Sequence, residues 1–335
     1  MPVTGAAVSG RVRGLCWWLV LAVSVLVALG LPAPLRAEDG DIALYREIAG
    51  RVERGDGYYA AVAELHRQEN YPLRPFVTVR SPVLAYGHAL IGGTGMLLAA
   101  WLILGMALTA WFRTLRDRPP AERAAVLTVI AAGGAALISP EVLHVHELWA
   151  GLLITLALGL GWNRRLQLGA AVCAVLLREL AAPILILLLF PFERRQFVRV
   201  GIAIGIVAAF YAWHAANVAS VVQPGDPSSQ GWFGLMGPAG LATYLSASAG
   251  REIPVWAAFL PLAGWMMHGD RLVFLWCAGV AGAIAIIARP DNLFWLLMFC
   301  PLYPAGLVFL ISGAILAVRR LRPARWMSVR MGQPS

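Results

Sequence analysis

Residues 84–112 read LAYGHALIGGTGMLLAAWLILGMALTAWF and contain no acidic residue, arginine or lysine. A transmembrane helix needs about 20 predominantly apolar residues to cross the hydrocarbon core of a bilayer. This stretch therefore predicts a membrane-spanning helix. The rest of the chain has the same bias, since 59% of all residues are hydrophobic and 13% are charged, against about 25% charged in an ordinary soluble domain. The composition excludes a soluble fold.

Further apolar stretches lie on both sides of this one. They fall near 14–33, 124–139, 142–162, 166–178, 180–191, 197–217, 254–268, 272–288 and 293–318. The sequence therefore predicts an all-α, polytopic membrane helix bundle with about ten spans, folded as a single domain over 1–335. The stretches on either side of Arg178-Glu179 are short, and we interpret them as half-length helices that meet at membrane depth.

The distribution of arginine predicts the orientation of the bundle. All 27 basic residues are arginine. With the N-terminus inside, the inner segments hold 17 arginines and four acids, and the outer segments hold ten arginines and fourteen acids. The resulting charges, +13 inside and −4 outside, follow the positive-inside rule and account for the net charge of +9. They indicate membrane orientation and not nucleic acid binding.

This orientation places both termini on the cytoplasmic side of a bacterial-type inner membrane, with a basic cytoplasmic tail at 319–335. The long polar loop at 36–83 then lies on the outer, periplasmic face. An alternative interpretation makes the N-terminus a signal peptide cleaved near Ala37. Residue 38 is outside the membrane in both cases.

The outer loop at 36–83 contains eight acids and seven arginines. Its apolar residues predict two amphipathic helices that are separated by Gly55-Asp56-Gly57. One helix face would carry Ile42, Tyr45, Ile48, Ala49 and Val52, and the other Ala60, Val62, Ala63 and Leu65. A solvated loop on the membrane surface is the simpler interpretation of this segment.

Asp39 and Asp41 stand two residues apart, directly after the first predicted span. A carboxylate that faces a cavity can act as a general base. Two carboxylates can instead bind a divalent cation such as Mg²⁺ or Mn²⁺, and no other cofactor is predicted. Because acidic residues are common near the ends of spans, the position alone does not decide between these roles.

The residues after Asp41 form a recognisable order. Tyr45 follows four residues later, then Ile48-Ala49 and Gly57-Tyr58-Tyr59, and Arg80-Ser81-Pro82 leads into the second span. This order resembles the first outer loop of the GT-C glycosyltransferases, a class that includes protein O-mannosyltransferases and aminoarabinose transferases. Three further clusters fit the resemblance and share its side of the predicted topology: His146-Glu147-x-Trp149-Ala150-Gly151, Arg178-Glu179 and Arg289-Pro290-Asp291-Asn292-x-x-Trp295.

The resemblance implies an inverting transfer of a sugar from a polyprenyl-phosphate donor to a hydroxyl group on the outer face. It makes Asp41 the general base, with Asp39 assisting it. Donor phosphate binding would fall to Arg178, Arg289 and Arg80, because guanidinium suits phosphate geometry. The substrate-binding candidates are Tyr45, Glu147, His146, Glu179, Asn292, His214 and Trp232.

The expected partners are this donor, membrane lipids and a lipid, glycan or small acceptor, with no nucleic acid. The basic tail follows the last span directly, which counts against a bulky protein acceptor. Two other functions stay open: a transporter or flippase for a lipid-linked sugar, and a non-catalytic assembly subunit. Transporters often contain two repeated halves. This sequence has no convincing internal repeat, and its acidic loop lies on one side, which favours the enzyme.

Overall fold

The computed structural model describes residues 40–190, 192–231 and 233–321. The predicted first span at 14–33, Asp39, Trp232 and most of the basic tail lie outside these residues. Within them the fold is helical and has no β-strand. The α-helices are α1 (Gly40–Glu53), α2 (Tyr58–Gln68), α3 (Val83–Thr114), α4 (Pro120–Leu137), α5 (His146–Gly159), α6 (Arg164–Leu177), α7 (Pro183–Leu187), α8 (Arg194–Val221), α9 (Ala239–Ala249), α10 (Val255–Ala258), α11 (Leu260–His268), α12 (Arg271–Ile286) and α13 (Gly306–Leu321).

Three helical segments are long and apolar enough to span a membrane: Phe76–Thr114, Pro120–Leu137 and Arg194–Val221. They identify the chain as a membrane protein, but the expected number of ten crossings is not supported. Most of the other predicted spans are shorter helices. The 14 residues of α5, for example, extend about 21 Å, less than the roughly 30 Å of a hydrocarbon core. The apolar composition of this segment correctly predicted that the helix is buried, but it did not predict how long the helix is.

The region around Arg178 matches the prediction of two short helices. Helix α6 ends at Leu177, and Arg178 adopts an extended conformation with φ −144° and ψ 112°. A 3₁₀ turn and the five-residue α7 follow, and Pro183 lies at the start of α7. Because Arg178 is not helical, its side chain leaves the helix axis and turns into the interior.

Helix α5 forms the centre of the bundle and is buried along its whole length. It packs against α3, α6 and the 3₁₀ segment Leu293–Met298. A Cβ atom added at Gly151 would lie 2.0 Å from the carbonyl oxygen of Leu297. Only glycine allows this approach, and the approach brings the start of α5 next to the residues that precede Leu293.

The two amphipathic helices of the outer loop are present as α1 and α2. All five apolar residues predicted for the face of α1 are buried. In α2 the prediction is correct for Val62, Ala63 and Leu65 but wrong for Ala60, which is exposed. The buried face instead begins with Tyr58 and Ala61, and with Val62 and Leu65 these follow the i, i+3, i+4, i+7 spacing of one helix face.

The outer loop is attached to the end of α8. Arg67 of α2 donates to both carboxylate oxygens of Asp226, at 2.7 and 3.0 Å, and to the carbonyl oxygen of Val221 at 2.7 Å. Arg74 and Ser228 form an isolated backbone bridge nearby. These contacts bring the outer loop, the start of α3 and the end of α8 to the same end of the bundle.

Candidate active site

One cavity of about 610 Å³ lies at this end of the bundle, between α1, the segment 69–80, the break after α6 and the segment 289–295. Seven of the predicted site residues line it: Asp41, Tyr45, Arg80, Arg178, Glu179, Arg289 and Asn292. These residues come from four separate parts of the sequence. Their predicted location on one side of the membrane did not require them to share a cavity, so their meeting is a finding of the structure.

Asp41 lies in the first turn of α1, where the positive end of the helix dipole favours a carboxylate. The hydroxyl group of Tyr71 lies near this carboxylate. Burial raises the pKa of Tyr71 above its ordinary value of 10.0, and the proximity of Asp41 adds to the rise, so this phenol remains a donor at neutral pH. A Cβ atom at position 40 would lie 2.9 Å from the Tyr71 hydroxyl oxygen. Because Gly40 has no Cβ atom, the Tyr71 hydroxyl can lie close to Asp41.

Arg178, which lines the cavity, forms a buried ion pair with Glu147. The Nε atom of Arg178 lies 2.7 Å from Oε1 of Glu147, and the two side chains are 3% and 1% exposed. Arg178 also pairs with the neighbouring Glu179. On a helix, adjacent residues point in different directions and pair poorly. The extended backbone at Arg178 removes that restriction, so both acids contact the same guanidinium group.

Arg80 lines the same cavity but has weaker partners. Its nearest carboxylate oxygen, Oε1 of Glu147, is 3.7 Å away, and its guanidinium carbon lies 5.7 Å from the centre of the Tyr45 ring. Its Nε atom and Oε2 of Glu147 are buried without a hydrogen-bond partner in the described part of the chain. Buried polar atoms are normally hydrogen-bonded, so Arg80 is less fully paired than Arg178, which contacts two carboxylates.

The backbone on both sides of Arg80 is held by three side chains. The carbonyl oxygen of Arg80 accepts from the Tyr58 hydroxyl at 2.7 Å. The carbonyl oxygen of Ser81 accepts from His146 Nε2, and that of Val79 accepts from His214 Nε2, both at 3.1 Å. His146 and His214, predicted as substrate contacts, thus lie behind the cavity wall and position Arg80. His146 also packs edge-on against Tyr45.

Arg289 occupies the opposite wall and is held by its own turn. It donates to both carboxylate oxygens of Asp291, at 3.1 and 2.8 Å, and to the carbonyl oxygen of Gly231 at 3.2 Å. The side chain of Asn292 accepts from the backbone N–H of Arg289 at 3.1 Å. These hydrogen bonds hold the turn in place, and the Arg289 side chain, which is 30% exposed, lines the cavity.

Among the polar residues that line the cavity, Tyr71, Glu69 and Asp291 were not predicted as site residues. The Tyr71–Asp41 contact joins the end of the outer loop to its beginning, and no local pattern signals such a pairing. Asp291 lay inside a cluster that we had quoted for its arginine and asparagine. With Asp41 and Glu179, these acids give the cavity four carboxylates beside its three arginines.

No group of three or more histidine, cysteine, aspartate or glutamate side chains suited to a metal ion occurs in residues 40–321 as described. The pair predicted for a divalent cation includes Asp39, which lies outside those residues. The metal dependence of the site thus stays a prediction that rests on Asp39 and Asp41 together.

Comparisons of the chain with models of protein families, with curated proteins and with solved structures find no match. The site itself combines a cavity at the end of a membrane helix bundle, one carboxylate beside a tyrosine, and three arginines that differ in how strongly they are paired.

Proposed function

We propose that this protein is a membrane glycosyltransferase of the GT-C type, which moves a sugar from a polyprenyl-phosphate donor to an acceptor hydroxyl on the outer face of the membrane. The observation that carries the proposal is the shared cavity: Asp41, Arg80, Arg178 and Arg289 all line it. Its volume of about 610 Å³ falls in the usual range of ligand sites, roughly 300–1,000 Å³.

The chemistry assigned to the site is a single displacement. The acceptor oxygen bonds to the anomeric carbon of the sugar, and the bond from that carbon to the phosphate oxygen breaks. Asp41 receives the proton of the acceptor hydroxyl, and polyprenyl phosphate leaves with the electron pair of the broken bond. A general base of this kind contributes about 10²–10⁴-fold in rate. One displacement inverts the anomeric configuration.

The arginines have different roles in this proposal. Arg178 is already neutralised by two acids, so it positions Glu147 and the wall and is not the main phosphate ligand. Arg80 lines the cavity with its closest carboxylate 3.7 Å away, which leaves it able to bind an anion. We therefore assign the leaving phosphate first to Arg80. Arg289 is held by Asp291 but is more exposed than Arg178, so we assign it a secondary contact with the same phosphate.

Tyr71 supports Asp41 in this mechanism. We assign its hydroxyl as a donor to the carboxylate, which orients Asp41 and leaves the remaining lone pairs for the acceptor hydroxyl. The supporting facts are the proximity of the two groups and the close approach that Gly40 allows.

The test uses full-length protein in proteoliposomes with a radiolabelled polyprenyl-phosphate sugar and a panel of lipid and glycan acceptors. We expect label in an acceptor, and a loss of about 10²–10⁴-fold in Asp41→Asn. Asp56→Asn is the matched control, because Asp56 lies in the same loop, pairs with Arg51 and is exposed outside the cavity. Movement of label across the bilayer without transfer would indicate a flippase. If label is neither transferred nor moved, the protein would be an assembly subunit.

A further inference from the structure

A second, apolar groove lies between α3, α5 and α6, away from the cavity. It encloses about 800 Å³, and Trp101, Leu102, Met106, Leu156 and Trp162 are among its lining residues. Several of these side chains are exposed, including Leu102 at 63% and Trp162 at 49%. In a membrane protein such a surface faces lipid, so the groove is open to the hydrocarbon phase.

The length of the groove corresponds to one leaflet of a bilayer. Its lining residues on α3 run from Trp101 to Ala110, a distance of about 14 Å along a helix that rises 1.5 Å per residue. A hydrocarbon core is about 30 Å thick, so one leaflet is about 15 Å. Helix α3 ends at Thr114, one turn beyond the groove. The groove thus extends inward from the membrane surface at this end of α3.

Basic groups lie at the surface end of the groove. Arg165, in the first turn of α6, lines it directly. Arg113, in the last turn of α3, places its guanidinium carbon 5.0 Å from the centre of the Trp162 ring. The neighbouring Arg164 is engaged with Gln167 at 2.8 Å. Arg165 is exposed, and none of the salt bridges among the described residues includes it.

We propose that this groove binds an anionic phospholipid, with an acyl chain along the apolar lining and the phosphate on Arg165 and Arg113. Charge complementarity selects the ligand: an apolar groove one leaflet long that ends in two arginines matches a lipid whose headgroup carries net negative charge. The charge distribution of the sequence predicts that this arginine-rich end is cytoplasmic, so the lipid would come from the inner leaflet. The proposal is independent of sugar transfer.

Two variants separate the headgroup contact from the acyl-chain contact. Arg165→Gln removes the cation and leaves the groove open. Gly169→Phe fills the groove, since Gly169 lines it and a Cβ atom there would meet nothing within 4 Å. Arg195→Gln is the matched control, because Arg195 is an exposed arginine near the start of α8 that does not line the groove.

The experiment measures lipid binding to full-length protein in an uncharged detergent, by native mass spectrometry, with phosphatidylglycerol and phosphatidylcholine of identical acyl chains. We expect wild type to retain phosphatidylglycerol at least about tenfold more strongly, which corresponds to about 1.4 kcal/mol. Arg165→Gln should remove this preference, Gly169→Phe should weaken both lipids, and Arg195→Gln should match wild type.

Equal retention of the two lipids by wild type would overturn the proposal, as would an unchanged preference in Arg165→Gln. A dimer whose contacts cover Trp101 and Trp162 would also overturn it, because a second copy would then occupy the groove. If Gly169→Phe does not fold, Arg165→Gln alone still decides, since its substitution lies on an exposed surface position.

Discussion

The two ends of the helix bundle both carry arginines but hold them in different ways. At the cavity end, Arg178 is 3% exposed and lies 2.7 Å from Glu147. At the opposite end, Arg113 is exposed and stacks over the ring of Trp162. A buried guanidinium group needs a carboxylate, because desolvation of an unpaired charge costs several kcal/mol. An exposed guanidinium group stays hydrated, and only the aliphatic part of the arginine side chain needs an apolar surface to pack on. Burial therefore decides what the same residue type does.

The largest expected effect tests this contrast directly. Arg178→Ala would leave Glu147 buried without its main partner, and we expect a loss of about 3–5 kcal/mol of stability. Arg113→Ala at the other end should cost about 0.5–1 kcal/mol, the usual value of an exposed cation–π contact. Thermal unfolding in detergent, followed by tryptophan fluorescence, measures both.

A double variant tests why Arg178→Ala should lose stability. If the cost of Arg178→Ala comes from an uncompensated charge, then Arg178→Met combined with Glu147→Leu should be less destabilising than Arg178→Ala alone. A double variant that is at least as unstable as the single one would show that the pair stabilises the fold by more than mutual neutralisation.

The difference between Arg80 and Arg178 leads to the next prediction. Arg80→Ala should weaken donor binding by roughly ten- to a hundredfold, the effect of losing a hydrogen bond of about 1.5–3 kcal/mol to a charged group. Its folding should change less than that of Arg178→Ala, because Arg80 has no close carboxylate partner. Binding of polyprenyl phosphate measured by equilibrium dialysis checks this. Normal affinity in Arg80→Ala would refute the assignment of the phosphate to Arg80.

A smaller effect is expected at Tyr71. Tyr71→Phe removes the hydroxyl that we assign as a donor to Asp41 and keeps the ring, so we expect kcat/KM to fall about tenfold, with donor affinity unchanged. Gly40→Ala should lower the rate similarly, since its Cβ atom would lie 2.9 Å from the hydroxyl oxygen of Tyr71. Steady-state transfer assays test both variants, and a rate equal to wild type in Tyr71→Phe would remove Tyr71 from the mechanism.

The smallest effect concerns the attachment of the outer loop and its dependence on pH. Arg67 lowers the pKa of Asp226 from 3.8 to about 2 by hydrogen bonding. The contact therefore contributes its full stabilisation above about pH 4 and loses it as the pH falls towards 2. We expect limited acid proteolysis near residues 222–229 to increase between pH 4 and pH 2 in wild type. Asp226→Asn should show the increased cleavage already at pH 4 and little further change.

The parts of the fold set by local pattern were predictable. The apolar stretch at 84–112 lies within the longest helix, and the buried face of α1 follows the predicted residues. The number of spans was not predictable in this way, because a helix that is apolar on all sides is buried either in lipid or in protein. Helix α5 is of the second kind: its neighbours α3 and α6 cover it.

The members of the candidate site were predictable only in part, because Glu147, His146 and His214 were predicted as substrate contacts and do not line the cavity. Asp41, Arg80, Arg178 and Arg289 were chosen from short motifs, and they line one cavity. Which arginine is neutralised depends on the extended backbone at Arg178 and on the rotation of α5, and a sequence pattern does not encode these. The same holds for His146, whose ring faces the backbone at Ser81.

The central claim is that the cavity holds a lipid-linked sugar phosphate between Asp41 and the arginines. A cryo-electron microscopy map of the full-length protein with a bound polyprenyl-phosphate sugar tests this most directly. We expect density for the phosphate against Arg80, with the sugar beside Asp41 and the lipid chain leading into the membrane. An empty cavity with the headgroup bound elsewhere on the protein would contradict it.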